Sequence, residues 1–343
     1  MKSNKKILFL ARLFIPHIGG VEKQVFELSK RLVKRGYKVK VITEKYDSSL
    51  KNKEIVDGVE IVRFNKLPVK YFGLLSIWIW FLFHLKYLRN ADLVHAHSVY
   101  VWYWPFKFLF PRKPNFVTFH GWEGIYPIPF KNKIIRKIDT LLSNKNITIS
   151  DYVEKHYGIK ADVLMYTSVN VNTNTANGLV KSKNSLLYVG RLDEDTGLRK
   201  ILKCLSFLKK TKIHVEFCGD GPLKKDCMKY GKVRGFVDPT EYYKKSFICL
   251  SPGHTSILEA FTYKCLIVTT YNNPVKKDYL LMTPFRRWIV VRNSPKKLAE
   301  EIKYFLKHPG KAKALTVPAY EWVKTQNWDE GVKTYIKLWE IEK

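Results

Sequence analysis

The chain has 343 residues, and 46% of them are hydrophobic. That length is about what two compact α/β domains need, and the apolar content is ample for two cores, so composition excludes an intrinsically disordered protein. The formal net charge is +31, from 61 Lys and Arg against 30 Asp and Glu. Such a charge favours binding to nucleic acid, to an anionic bilayer or to phosphorylated substrates. Because the basic residues are spread along the chain, a generally lysine-rich composition is an alternative explanation.

The predicted elements alternate between short apolar runs and helical patterns. In the first half, the predicted strands are residues 7–10, 39–43, 59–64, 92–96, 115–119 and 147–150. A helix is predicted over residues 21–35 and ends at Gly36. The positive charge before the first run resembles a signal peptide, but Arg12 and Pro16 break that run, so we interpret it as a strand. The alternation predicts a parallel, doubly wound sheet.

Residues 72–83 form an unbroken apolar run that is too short to span a bilayer, which requires about 20 residues. Aromatic and basic residues follow it as far as Lys113. Such a mixture is typical of segments that lie in the headgroup zone of a membrane. A helix buried in the core of the first domain is the alternative.

The second half repeats the alternation after a polar segment, residues 162–178, which we predict to be the linker. Its predicted strands are residues 185–189, 214–218, 233–236, 247–250, 266–270 and 288–291. The five cysteines all fall in this half, and none forms a C-x-x-C pair. They predict buried thiols in a reducing, cytoplasmic compartment rather than a zinc site or a disulfide framework.

The clearest chemical signal also lies in the second half. Residues 186–193 form an apolar run that ends in Gly190 and Arg191, so a buried strand brings a cation to its carboxyl end, where open α/β sheets bind ligands. Residues 252–260 place hydroxyls and backbone N–H groups at the start of a helix, which favours a phosphate. Since Glu259 adds a carboxylate one turn into that helix, the pattern indicates a nucleoside diphosphate site.

Seven short motifs occur in an order and spacing that resemble one enzyme family. They are Gly19-Gly20-Val21-Glu22, Ala91-Asp92-Leu93-Val94-His95-Ala96-His97, Thr118-Phe119-His120-Gly121, Gly190-Arg191-Leu192, Gly219-Asp220-Gly221-Pro222, Gly235-Phe236-Val237 and Ile257-Leu258-Glu259-Ala260. Together they are similar to the landmarks of family 4 retaining glycosyltransferases of the GT-B fold, and they span nearly the whole chain. The resemblance implies an α/β protein with two Rossmann-like, doubly wound domains that face a central cleft.

The resemblance also implies a division of roles between the domains. We expect an acceptor-binding domain over residues 1–165 and a nucleotide-sugar-binding domain over residues 166–318. We expect residues 319–343 to form a C-terminal helix that returns to the first domain.

In the donor site implied by the resemblance, Arg191 holds the leaving diphosphate and acts in catalysis. The family has a lysine five residues later, but this chain has Thr196 there, so we expect Lys200 to replace it. Glu259 matches the ribose-binding glutamate of the family. A glutamate favoured by the helix dipole is the structural alternative.

Further donor-binding residues follow from the same motifs. A second glutamate of the family, which touches the sugar there, is replaced by Ser251. Expected donor-binding residues are Gly19, Gly20, Gly190, Gly219, Val237, Thr255, Ser256 and Ile257. Of these, the last three offer backbone N–H groups, Gly19 and Gly20 permit close approach to a helix start, and Gly219 and Val237 flank the nucleobase.

His120 follows an apolar strand and precedes Gly121, so we expect it to project from the carboxyl end of that strand. By resemblance it contacts the donor sugar and is the second catalytic residue. We predict no metal site, although Asp193 and Asp195 form a D-x-D pattern. We also expect His95 and His97 to alternate along a strand and point to opposite faces, which would prevent them from sharing one ion.

The resulting hypothesis is a cytoplasmic, metal-independent glycosyltransferase at an anionic membrane surface. It would move a hexose from a UDP- or GDP-linked donor to an acceptor hydroxyl, with a lipid-linked acceptor expected and retention implied by the resemblance. No organic cofactor is expected. A nucleotide-sugar epimerase of the same fold and a non-catalytic sugar-nucleotide binder remain alternatives. A nucleic-acid-binding protein is less favoured, because the chain has no helix-turn-helix, finger or RNA-binding signature.

Overall fold

A computed structural model of the chain describes residues 4–67, 72–171 and 181–339. These residues divide into two compact units. The first unit contains the chain up to Trp122, Ile128–Met165 and the chain from Trp328 onward, and the second contains Glu123–Pro127 and Tyr166–Asn327. Both are α/β structures built on largely parallel sheets, as predicted.

An eight-stranded sheet organises the described part of the first unit. Its strands are β1 (Lys6–Ala11), β2 (Lys38–Glu44), β3 (Lys53–Val56), β4 (Val59–Phe64), β5 (Leu93–His97), β6 (Asn115–Phe119), β7 (Lys145–Thr148) and β8 (Val163–Leu164). Their order is β3-β4-β2-β1-β5-β6-β7-β8, and every neighbouring pair is parallel except β3 with β4. The predicted parallel sheet is confirmed. Strand β3 was not predicted, although Asp57 and Gly58, both with positive φ, form the tight turn of a hairpin there. Strand β8 was not predicted either, and it lies within the predicted linker, where it pairs with β7.

Helices pack on both faces of this sheet. They are α1 (Gly20–Lys34), α2 (Gly73–Phe83), α3 (Leu85–Arg89), α4 (Trp104–Leu109), α5 (Phe130–Leu142) and α6 (Tyr152–Tyr157). On one face, Leu28 of α1 packs in a core with Phe9 of β1 and Val41 of β2. Elsewhere in the unit, Phe81 of α2 lies 6.5 Å from Phe64 of β4 between ring centroids.

Helix α2 is the apolar run for which a buried and a membrane-facing position were both considered. Ile77 and Phe81 are buried, whereas Leu82 and Phe83 are exposed, Phe83 by 84%. The helix is therefore neither wholly buried nor wholly exposed. Among the described residues, no helix combines the length and the apolarity that crossing a bilayer requires.

A six-stranded sheet organises the described part of the second unit. Its strands are β9 (Ser182–Val189), β10 (His214–Cys218), β11 (Lys232–Gly235), β12 (Ser246–Cys249), β13 (Leu266–Thr269) and β14 (Ile289–Val291). The order is β11-β10-β9-β12-β13-β14, with all neighbours parallel. All six predicted strands are confirmed within a few residues of their predicted ends.

The helices of the second unit cover two separate cores. They are α7 (Leu198–Ser206), α8 (Lys224–Cys227), α9 (Thr240–Lys245), α10 (His254–Thr262), α11 (Pro274–Leu281), α12 (Pro295–Lys307) and α13 (Pro309–Val323). One core holds apolar residues of α7 and α12, and the other holds those of α10 and α13. The five cysteines are buried and have free thiols, as predicted.

The segment that returns to the first unit differs from the prediction. It was predicted from residue 319, but Ala319 and Val323 lie on α13 in the core of the second unit, and the return begins at Trp328. Helix α14 (Trp328–Trp339) packs its apolar side chains into the core next to β1. Residues 340–343 of the predicted helix and residues 172–178 of the predicted linker lie outside the described residues.

Glycine is required at position 219 by the crossing of two loops. Gly219 has a φ of +156°, and a Cβ there would lie 1.9 Å from the carbonyl oxygen of Gly190. We expect Gly219→Ala to lower the free energy of unfolding of the second unit by on the order of 3 kcal/mol, from backbone strain and overlap. Gly310→Ala is the matched control, because a Cβ there meets nothing within 4 Å. Denaturant unfolding measures both variants, and equal stability would contradict this explanation.

Candidate functional site

The carboxyl ends of the six parallel strands in the second unit lie along one edge of its sheet. Gly190 and Arg191 follow β9, Gly219 follows β10, and the turn before α10 follows β12. Lys276 lies on α11, which follows β13. Open α/β sheets bind ligands at this edge, so the candidate donor site is built from the loops there.

Arg191 is exposed and is held by two carboxylates. Its guanidinium lies 2.5 Å from Asp195 Oδ2 and 3.6 Å from Asp193 Oδ2. The two aspartates of the D-x-D pattern therefore pair with a cation. Among the described residues, no group of three or more His, Cys, Asp or Glu could hold a metal ion. Since Arg191 carries five donors, it retains capacity for a phosphate while it contacts Asp195.

The two positions considered for a second cation have other roles in this structure. Thr196 is buried, and its hydroxyl donates to the Asp193 carbonyl at 2.5 Å and accepts from Tyr188 at 3.0 Å. Lys200 donates from Nζ to the Tyr271 carbonyl at 2.9 Å and to Asn293. Its ammonium thus joins two loops of the second unit.

The start of α10 offers fewer backbone donors than the sequence indicated. Gly253 is the N-cap residue, and Thr255 and Ser256 lie in the first turn, where N–H groups have no intrahelical acceptor. The N–H of His254 donates to the Tyr279 hydroxyl at 2.8 Å. The N–H of Ile257 donates to the Gly253 carbonyl at 2.9 Å, so it is already used within the helix.

Ser251, which replaces a glutamate of the resembling family, faces the protein interior. It is fully buried, and its hydroxyl lies 2.9 Å from Cys249 Sγ. It donates to the carbonyl of Ser256 at 3.4 Å. The residue therefore stabilises the loop before α10 and has no exposed group for a sugar.

Glu259 lies one turn into α10 and accepts a hydrogen bond from the Tyr243 hydroxyl at 3.3 Å. Tyr243 lies on α9 and stacks on Tyr263, with ring centroids 5.6 Å apart. Burial and the nearby Glu259 carboxylate raise the pKa of Tyr243, so its hydroxyl remains a donor. Tyr243 orients this carboxylate, a role that nothing in the sequence indicated.

The remaining residues that were expected to bind the donor lie at or just beyond strand ends. Gly219 donates its N–H to the Gly235 carbonyl at 2.8 Å, and Gly190 donates to the Cys218 carbonyl at 3.1 Å. These contacts bring the ends of β9, β10 and β11 together. Val237, two residues beyond β11, is exposed.

In the first unit, a second group of predicted residues lies at the carboxyl edge of its sheet. Gly19 is the N-cap residue of α1 and Gly20 begins the helix. The Glu22 carboxylate occupies the space next to Gly19, where a Cβ would lie 2.2 Å from Oε2. Glu22 Oε1 is also 2.9 Å from His17 Nδ1. A carboxylate therefore stands at this helix start.

His120 follows β6 and belongs to a stack of three histidines. The ring centroids of His95 and His97 are 4.9 Å apart, and those of His97 and His120 are 5.1 Å apart. The expectation that His95 and His97 point to opposite faces is wrong, because residues i and i+2 of a strand share one face. Burial lowers the pKa of both His95 and His97.

Hydrogen bonds fix the orientation of this stack. Trp339 Nε1 donates to His95 Nδ1 at 2.9 Å, so His95 carries its proton on Nε2 and donates to Thr118 Oγ1 at 2.8 Å. His97 Nδ1 lies 2.8 Å from His120 Nε2. Removal from water lowers the pKa of His120 to about 3, so its ring is neutral at pH 7 and can donate or accept a hydrogen bond.

Two protein-family models match most of the chain. The family model "Glycosyltransferase Family 4" matches residues 18–166, and "Glycosyl transferases group 1" matches residues 172–322. A comparison with curated protein sequences gives no match.

Solved structures similar to this chain include three with TM-scores near 0.7. Sucrose-phosphate synthase from Thermosynechococcus elongatus has a TM-score of 0.77 at 16% identity, with 98% of each chain covered. A glycosyltransferase from Rickettsia africae has a TM-score of 0.73 at 18% identity, again over 98% of each chain. Anabaena HepE in complex with UDP-glucose has a TM-score of 0.69 at 14% identity, over 97% of this chain and 98% of that one. At these identities the likeness concerns the fold, and it confirms the predicted GT-B class.

Proposed function

We propose a reaction from the premise that this chain belongs to the family 4-like, group 1 glycosyltransferases of the GT-B fold. It moves a hexose from a nucleotide diphosphate sugar to an acceptor hydroxyl and retains the anomeric configuration. The observation that carries the proposal is Arg191, an exposed guanidinium at the carboxyl end of β9. The class of donor is supported by a similar structure, Anabaena HepE, which was solved in complex with UDP-glucose.

The chemistry of the site suits a diphosphate leaving group. When the bond between the anomeric carbon and the diphosphate oxygen breaks, negative charge develops on that oxygen. Arg191 and the N–H groups of Thr255 and Ser256 donate to it, and such fixed donors stabilise a developing anion more than they stabilise the bound substrate. Glu259, held by Tyr243, accepts from the ribose hydroxyls.

His120 contributes a neutral imidazole to the sugar. Because the pKa of His120 is low, its ring carries no positive charge that would repel the positive charge developing on the sugar. In the retaining step, the acceptor oxygen bonds to the face from which the diphosphate leaves, and the acceptor proton passes to the leaving phosphate. The reaction uses no organic cofactor and no metal, because Arg191 and the helix start supply the charge.

A non-catalytic sugar-nucleotide binder is the second candidate. Thr196 and Ser251 replace a cation and a carboxylate of the family, and both are buried in the fold. Binding of the nucleotide through Arg191 and Glu259 would survive these losses. An assay that detects sugar transfer separates the two candidates.

We propose further that the acceptor is lipid-linked and that the first unit binds an anionic membrane surface. Helices α2 and α4 pack together, with the rings of Phe81 and Phe106 5.5 Å apart between centroids. Their outer apolar side chains are exposed, as in Leu82, Phe83 and Phe108. Together with the net charge of +31, exposed aromatic side chains favour the headgroup layer.

Replacing Arg191 by alanine tests the donor site. We expect Arg191→Ala to lower the transfer rate about 100- to 1000-fold, the usual loss when one donor to a developing oxyanion is removed. Arg199→Ala is the matched control, because Arg199 is equally exposed and pairs with Glu194 at 2.5 Å. Equal rates for the two variants, with unchanged nucleotide affinity, would refute the role of Arg191.

Removal of divalent metal ions tests whether protein groups alone stabilise the negative charge of the leaving diphosphate. We expect EDTA to leave the transfer rate within about twofold, because cationic side chains and helix N–H groups stabilise the leaving group. The rate is measured before and after chelation, and again after addition of Mn²⁺. Loss with EDTA and recovery with Mn²⁺ would instead give Asp193 and Asp195 a metal-binding role.

Liposome flotation tests membrane binding. We expect the protein to float with anionic vesicles at low salt, to be released at high salt, and to ignore neutral vesicles. Phe83→Ser with Phe108→Ser should weaken flotation, whereas Phe207→Ser with Met228→Ser, which changes exposed apolar residues of the second unit, should not. No flotation with either lipid, or equal flotation with both, would favour a soluble acceptor.

A further inference from the structure

Lys276 on α11 is a buried ammonium group close to the candidate diphosphate site. The residue is 6% exposed. Its Nζ donates to the carbonyl of Pro252, in the turn just before α10, and lies 4.5 Å from the ring centroid of Tyr279. Among the described residues it forms no salt bridge with a carboxylate. An ammonium group has three donors, so this environment leaves it incompletely satisfied.

Such burial is costly unless an anion offsets it. Burial lowers the pKa of Lys276 to about 8, while the nearby Asp195 raises it and Arg191 lowers it further. The contact with Pro252 brings the ammonium close to the end of β9, because a Cβ at Gly190 would lie 2.8 Å from Pro252 Cγ. A neutral side chain of similar size would fill the space without this desolvation penalty.

Three buried polar atoms that follow β9, β12 and β13 have no hydrogen-bond partner among the described residues. They are Asp195 Oδ1, His254 Nδ1 and Thr270 Oγ1. His254 stacks on Tyr279 with ring centroids 3.8 Å apart, and its Nε2 donates to the Tyr279 carbonyl at 2.7 Å. Asp195 Oδ1 and the unprotonated His254 Nδ1 are acceptors, so of these three atoms only Thr270 Oγ1 can donate to an anion, and the positive charge for a bound anion comes from Lys276.

We propose that Lys276 is the second cation that binds the diphosphate of the nucleotide, in addition to Arg191. The proposal rests on the proposed function and names a residue for it. It explains how the site can bind a diphosphate although Thr196 replaces the lysine of the family. Lys276 on α11 supplies the positive charge that is missing after β9. Lys200 then has a structural role, in which its ammonium joins two loops of the second unit.

Calorimetry with UDP, GDP and ADP, and ligand-detected NMR with their nucleosides, tests the proposal. We expect Lys276→Met to weaken diphosphate binding about 10- to 150-fold, as for a lost hydrogen bond to a charged group, and to leave nucleoside binding unchanged. Lys277→Met, at the exposed neighbouring position, should change neither. Lys200→Met tests the rival cation.

The outcomes separate this inference from the function on which it rests. If the wild type binds a diphosphate and Lys276→Met binds it equally well, or loses nucleoside and diphosphate affinity alike, Lys276 is structural and the inference is wrong. A larger loss of diphosphate affinity in Lys200→Met than in Lys276→Met would also overturn it. A wild type that binds none of the three diphosphates would overturn the proposed function and the inference together.

The wild type provides a measurement that does not depend on folding of a variant. Raising the pH from 7.5 to 9.5 deprotonates a lysine whose pKa is about 8, and we expect the ratio of diphosphate to nucleoside affinity to fall about tenfold or more. The titratable neighbours do not change charge in this range, since burial raises the pKa of Tyr279 to about 12 and lowers that of His254 to about 3. A constant ratio would contradict a charged contact from Lys276.

Discussion

The close contact between the Gly190 and Gly219 backbones is the constraint on which the second unit's site depends. The Cβ of any other residue at position 219 would overlap the Gly190 carbonyl oxygen, at 1.9 Å. The loops after β9 and β10 meet there, and the next residue after Gly190, Arg191, has an exposed side chain. Gly235 lies within hydrogen-bonding distance of Gly219. Glycine thus allows the ends of three parallel strands to meet at the edge where the donor site is proposed.

Two cations lie near that edge, and one of them is paired with carboxylates. Arg191 contacts Asp195 and Asp193, and Lys276 is buried beneath the turn that precedes α10. The carboxylate partners hold Arg191 in place, and in the proposed function a diphosphate would replace or join them. The stacked histidines of the first unit differ in that they are uncharged, since removal from water lowers the pKa of His120. Cationic groups therefore lie at the carboxyl edge of the second unit's sheet, and neutral imidazoles lie at that of the first.

Much of this architecture could be predicted from the sequence because local patterns encode it. The apolar runs that became β9, β12 and β13 are continuous, as expected of strands buried on both faces. The hairpin strand β3 was missed because it lies at the sheet edge with only half-buried side chains, although Asp57-Gly58 signals its turn. The roles of Lys276 and Tyr243 could not be predicted. Each depends on a helix that packs against α10 or its preceding turn from elsewhere in the chain, and no local pattern records such a contact.

The most direct measurement of the central claim follows the fate of the sugar. Nucleotide sugars labelled with ¹³C at the anomeric carbon are incubated with the protein and a membrane lipid extract, and NMR records the anomeric signals. The account predicts that the donor signal is replaced by that of a new glycoside of the same anomeric configuration, and only when the extract is present. A new glycoside of inverted configuration, or conversion of the donor to an isomer without the extract, would contradict it.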